Sequence, residues 1–174
     1  ERIVPRIGAA TRSLVRLMPN LGGAGDRVRR LYAGVVQSIA LYGAPAWHDR
    51  VWSSRKCSNM LQAAQRRLAI RVMRGYCTIP CGAACAVSGI MPWPLATALY
   101  TDMYRAGKRC RDNIAGEDNR TPPDPGQVRR ELRALRGRLR RQYIEQWAED
   151  LAHARAGLYA VGALRPILGQ WIGR

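Results

Sequence analysis

The chain has 174 residues and sets 29 Lys+Arg against 12 Asp+Glu, a formal net charge of +17 with a pI near 11.1. That length suits one ordinary domain, or a small domain with an appended helical segment, and is crowded for two full domains. No stretch of 18 uninterrupted apolar residues occurs and the basic N-terminus lacks a compact apolar run, so neither a membrane-spanning helix nor a secretory signal is expected, and the chain is read as soluble and intracellular.

Residues 6–18 place Ile7, Leu14, Val15 and Leu17 among arginines at helical spacing, and Pro19 with Gly22, Gly23 and Gly25 stops the run. A second helix is expected from an Asp26 N-cap, with Val28, Leu31, Tyr32, Val35, Val36 and Ile39 at 3/4 spacing and a stop at Gly43 and Pro45. Residues 44–52 then read as a connection anchored by Trp47 and Trp52. Ser53 or Ser54 caps a third helix, with Cys57, Leu61, Ala64, Leu68 and Val72 on its apolar side and Gly75 as the left-handed residue after its end. A short helix over 80–88 closes at Gly89, and Pro92 and Pro94 open another that runs to about Arg111.

Gly, Asp, Asn and three prolines change the texture of residues 114–126, which reads as an exposed linker. Beyond it, Val128, Leu132, Leu135, Leu139, Tyr143, Trp147 and Leu151 trace one apolar stripe along a long helix that must dock on something. No strand pattern persists and no repeat is visible. The fold class expected is all-α: a helical bundle over 1–112, a linker over 113–126 and a basic helical segment over 127–174. The opening at Glu1 without a Met, and residues 170–174 read as mid-helix, give the expectation that the chain is a fragment of a longer polyprotein.

All but Lys56 and Lys108 of the basic residues are arginine, whose planar fork pairs bidentately with phosphate, and this points to a nucleic-acid partner. A GC-rich gene would raise the Arg/Lys ratio on its own, but not the net charge. Arg67, Arg71 and Arg74, with Arg66 adjacent, lie at i, i+4, i+7 on the third helix; Arg129, Arg133, Arg136 and Arg140 form a second row on the long one. Residues 129–141 hold seven arginines and one glutamate, a self-repelling face unless it meets phosphate. These eight arginines are the candidate nucleic-acid contacts, and Tyr76 is a candidate for stacking on a sugar or base.

Catalytic machinery is not expected in this chain. There is no Gly-rich phosphate loop, no nucleophile elbow and no H-E-x-x-H, and the adjacent acids Glu117 and Asp118 fall in the linker. Cys77, Cys81 and Cys85 would align on one helix at i, i+4, i+8, but they lack the close pairs and nearby histidines of a zinc site, so all five cysteines are read as reduced thiols and no metal or cofactor is assigned.

The phrases Leu31-Tyr32, Tyr42-Gly43-Ala44-Pro45-Ala46-Trp47, Gln65-Arg66-Arg67, Arg71-Val72-Met73-Arg74-Gly75-Tyr76-Cys77-Thr78 and Gly89-Ile90-Met91-Pro92 carry a likeness. They resemble the region after the palm in non-LTR retrotransposon reverse transcriptases, in particular the insect type-1 elements that insert in ribosomal DNA. The likeness covers residues 1–105 well and the Arg-rich remainder loosely; it departs at Cys77, where the family usually has arginine, and at Met91, where it often has proline. The resemblance implies a thumb and connecting segment that grips template and primer, RNA and DNA, beside an upstream palm of the same polyprotein. It implies that RNA-directed DNA polymerase activity, with magnesium, and endonuclease activity belong to that parent, with a nuclear location. The competing reading is a stand-alone Arg-rich RNA-binding protein. An upstream open frame leading into Tyr/Phe-x-Asp-Asp would separate the two.

Overall fold

The computed structural model describes residues 3–19, 21–116, 125–154 and 156–172, and every regular element among them is helical. In chain order these are α1 (Ile3–Arg16), α2 (Asp26–Leu41), α3 (Ala44–Ser53), α4 (Arg55–Val72), α5 (Cys81–Ser88), α6 (Trp93–Gly116), α7 (Pro125–Ala152), α8 (Leu158–Leu164) and α9 (Leu168–Trp171), with a 3-10 turn at Arg165–Ile167. No single helix among the described residues is long and apolar enough to cross a membrane.

α4 is the spine, because it is apolar on two sides. Leu61, Ala64, Leu68 and Val72 pack with Ile7, Met18, Val36, Trp47 and Trp93, a core shared with α1, α2 and α3. Ala69 and Ile70 face the other way into a second core made by α5, α6 and the end of α7, through Leu99, Tyr143, Trp147 and Leu151. Gln65, buried between the two, clamps the start of α6: its Nε2 donates to Met91 O and its Oε1 accepts from Trp93 N, both at 2.8 Å.

α2 turns a different face inward from the one its large apolar residues mark. Val36 is buried and Tyr32 half-buried, but Val28, Leu31, Val35 and Ile39 are exposed, and the inward residues are Arg29, Ala33, Val36 and Ala40. Small side chains at helical spacing let α2 approach its neighbours closely, and Arg29 finds acceptors in the loop before α2 and at the end of α4. Asp26 is the first helical residue, not the cap, which is Gly25.

Residues 44–52 are a helix, not a connection. Pro45 sits at the start of α3, where its missing N–H costs nothing and its fixed φ suits the first turn. Trp47 Nε1 donates to Tyr42 O at 2.9 Å, and Trp52 Nε1 donates at 2.8 Å to Thr97 Oγ1, which ties α3 to α6. Ser54 then caps α4, its side chain accepting from Cys57 N.

The end of α4 corrects another expectation. Arg74, not Gly75, takes the left-handed conformation, with φ 55°. Gly75 N donates to Ile70 O at 2.9 Å, and a Cβ on Gly75 would meet Ile79 Cδ1 at 2.7 Å, so a larger residue here would have to push the tip of Ile79 aside.

Of the linker expected over 113–126, α6 takes residues to Gly116 and α7 begins at Pro125; residues 117–124, with Glu117 and Asp118, lie outside the described residues. The long helix docks through its stripe as the spacing predicts: Leu132, Leu135 and Leu139 are half-buried, and Tyr143, Trp147 and Leu151 are buried. α8 lies against α5 so closely that a Cβ on Gly157 would meet Ala83 Cβ at 2.6 Å, and Trp171 Nε1 donates to Ala86 O at 3.0 Å.

Tyr143 fastens α7 to α6 by donating its hydroxyl to Asp102 Oδ2 at 2.5 Å. Burial, with Asp102 adding to it, pushes the Tyr143 phenol up to about 12. A raised folded pKa stabilises the neutral form, so this contribution is full below the unfolded value of about 10 and is lost as pH rises from there through the folded one. Tyr143→Phe should therefore cost about 1.5–3 kcal/mol near neutrality. Urea midpoints of wild type and variant should draw together above pH about 10, and a constant gap would exclude this bond as the cause.

Candidate nucleic-acid interface

The four arginines of α4 separate into distinct jobs once they are folded. Arg66 is half-buried and braces the following turn, its Nε donating to Ile79 O at 2.9 Å and its Nη2 donating to Cys77 O. Arg67 is exposed and has no hydrogen bond or ion pair with another described residue. Arg71 is half-buried, and its own carbonyl is held by Arg29. Arg74 lies past the helix end, where its Nη2 stands 3.4 Å from Asp26 Oδ1 and 3.4 Å from Ala24 O. The i, i+4, i+7 row is broken because the helix stops at Val72, before its third member. Tyr76 stays exposed in the turn beyond.

α7 keeps its arginines in solvent. Arg129, Arg133, Arg136 and Arg140 are all exposed, and none forms a hydrogen bond or ion pair with another described residue. The α6–α7 contact divides the row. On one flank Arg133 joins Arg109, Arg130, Arg138 and Arg141 around a shallow trough in which Glu131 is the only acid among the described residues. On the other flank Arg136 joins Arg111 and three tyrosines, Tyr42, Tyr100 and Tyr104, around a cleft of about 640 Å³. That cleft shares Leu41, Tyr100 and Met103 with a second, of about 310 Å³, bordered by Arg140.

The tyrosines are what the sequence reading missed. Tyr42, which follows the apolar stripe of α2, is 84% exposed; Tyr100 and Tyr104 are 48% and 56% exposed. The only available signal was the i, i+4 pairing of Tyr100 and Tyr104, which puts both rings on one side of α6.

Three of the acids are occupied with structure. Asp26 pairs with Arg74, Asp49 lies 3.0 Å from Arg105 Nη2, and Asp102 accepts from Tyr143. Among the described residues no three His, Cys, Asp or Glu side chains converge on a point a metal could occupy. All five cysteines are free, and Cys77 stands exposed in the turn before α5, off the helical line that its spacing suggested. Cys81, which opens α5, is brought down to about 7 chiefly by a hydrogen bond from Cys85, with burial opposing and Arg66 assisting; the same bond and its own burial push Cys85 far up.

No family model, curated protein or solved structure matches the chain. Its function is therefore argued from these side chains and from the phrases they sit in.

Proposed function

We propose that this chain is a non-catalytic grip for a nucleic-acid duplex, the helical part that follows the palm in a non-LTR retrotransposon reverse transcriptase. The observation that carries the reading is the row Arg129, Arg133, Arg136 and Arg140 on α7, exposed and without partners among the described residues, beside the exposed Arg109 and Arg111 of α6, on a chain of net charge +17. A docked, rigid helix that holds guanidinium groups in water without acidic partners is suited to a row of phosphates, which it binds irrespective of base sequence. The Tyr-Gly-Ala-Pro-Ala-Trp and Gly-Tyr-Cys-Thr phrases support assigning that duplex to a template and primer. On this reading RNA-directed DNA synthesis, its magnesium and the endonuclease step reside in the parent polyprotein, and this segment supplies phosphate contacts.

The test is to titrate the 174-residue chain onto a labelled RNA–DNA hybrid at several salt concentrations. With four to six phosphates neutralised, affinity should fall roughly 10²–10³-fold between 50 and 200 mM salt. Hybrids of unrelated sequence should bind alike. Failure to bind, or binding insensitive to salt, would overturn the proposal.

A further inference from the structure

We infer that the groove between α2–α3 and α6–α7 takes an unpaired nucleic-acid strand, with bases on Tyr42, Tyr100 and Tyr104 and phosphates on Arg111, Arg136 and Arg140. The inference rests on the duplex-grip reading and goes beyond it, because it assigns a second form of nucleic acid to the tyrosine-lined flank of α7, which shares Arg136 and Arg140 with the duplex-binding row.

Three features of the groove point to this occupant. Its aromatic rings are exposed and idle: none of the three tyrosine hydroxyls has a hydrogen-bond partner among the described residues, and all three rings border one cleft. Its charge is of one sign, because Arg111 and Arg136 stand in the cleft, Arg140 borders its continuation and no acid among the described residues lines either part. Its remaining lining is largely apolar and includes Leu41, Met103, Leu132 and Leu135.

Size and chemistry then choose between forms of nucleic acid. A cleft of about 640 Å³ is in the range that accepts small molecules, so it can admit single nucleotides but not a duplex. Bases in a duplex are already stacked on one another and gain nothing from rings at the bottom of a groove. An unpaired strand presents both faces of each base, and aromatic stacking under a basic rim is the usual device for holding it without sequence preference. Tyr100 and Tyr104 stand one helical turn apart, roughly 6 Å along the axis, close to the gap of about 7 Å that one intervening base would need at a stacking repeat of 3.4 Å. Arg136 and Arg140 are likewise about one turn apart on α7.

The test compares a fluorescent oligouridine of about 12 nucleotides with the RNA–DNA hybrid at one salt concentration, on the wild-type chain and on Tyr100→Ala/Tyr104→Ala. Oligouridine affinity should fall at least roughly tenfold, while hybrid affinity should change by less than about twofold. Tyr100→Phe/Tyr104→Phe should keep most of the oligouridine affinity, because stacking needs the ring and not the hydroxyl. Far-UV circular dichroism confirms folding; should the alanine pair melt early, Tyr42→Ala provides the same comparison from another element. Photocrosslinking of a 4-thiouridine oligomer to the wild type, with attachment expected at peptides carrying these tyrosines, needs no variant at all. Equal losses on oligouridine and hybrid would overturn the inference, as would crosslinks confined to the Arg133 flank. Oligoglutamate that binds as tightly and loses as much in the alanine pair would assign the groove to an acidic peptide instead. A wild type that binds hybrid but not oligouridine would sink this inference alone, and one that binds neither would sink the grip as well.

Discussion

Arg29→Ala is expected to destabilise the chain by about 3–5 kcal/mol, the largest effect of any arginine substitution, although nothing about this residue suggests binding. Its side chain is fully buried, and its guanidinium donates to five backbone carbonyls: Ala24 at 2.7 Å, Arg71 at 2.7 Å, Gly22 at 3.2 Å, Met18 at 3.5 Å and Pro19. Met18, Pro19, Gly22 and Ala24 lie in the loop between α1 and α2, and Arg71 lies in the last turn of α4, so the cation ties that loop to the negative end of the α4 dipole. Burial lowers the pKa of this guanidinium, and Arg74 and Arg71 nearby act in the same direction, while Asp26 opposes them. Arginine stays charged in such a site, and the carbonyls supply the compensation. Alanine would leave a cavity and several buried acceptors without donors. A melting temperature lower by roughly 6–20 °C follows for a chain of this size. Arg29→Lys should recover only part of the loss, because one ammonium cannot reach acceptors spread around a planar fork. Arg27→Ala, at an exposed position of the same helix, should stay within about 0.5 kcal/mol of wild type. Equal melting of the Arg27 and Arg29 variants would show that the carbonyl cage contributes nothing.

Arg29 also marks the limit of what periodicity can reveal. The helical class, the apolar side of α4, the α5 boundaries and the docking stripe of α7 were all legible, because each depends on neighbours within a few turns. α2 carries two interleaved stripes, one of large apolar residues and one of Arg29, Ala33, Val36 and Ala40, and hydrophobicity ranks the wrong one first. The choice is made by tertiary packing, which rewards close approach and a carbonyl-lined site that the sequence of α2 does not contain. Pro45 was misread because proline both ends and begins helices, and only the fold tells which. Arg66 and Arg74 looked like phosphate ligands by type and spacing, yet one holds a turn and the other an acid. Beyond the i, i+4 pairing of Tyr100 and Tyr104 the tyrosine groove was not legible, since its walls come from elements scattered between Gln37 and Ile172.

This division of labour makes α7, rather than α4, the place where substitutions should remove nucleic-acid binding. Arg129, Arg133, Arg136 and Arg140 are exposed and unpaired among the described residues, so changing all four to alanine removes four charges while the stripe through Tyr143, Trp147 and Leu151 stays intact. Each phosphate contact contributes about 0.9 to the slope of log K against log salt on duplex, so the quadruple variant should flatten that slope by roughly 3 to 4 units. At low salt its affinity should fall on the order of 10²-fold or more, about equally for hybrids of unrelated sequence. Stability should move little and could rise, because residues 129–141 set seven arginines against one glutamate and repel one another in the free protein. Arg67→Ala on α4 should remove about one unit of slope at most. Arg66→Ala should instead loosen the turn at Cys77 and Ile79 and lower the melting temperature. Measured side by side, a quadruple variant with an unchanged salt slope and normal melting would show the α7 row to be merely solvated, and would move the grip to the trough lined by Arg109, Arg130, Arg138 and Arg141.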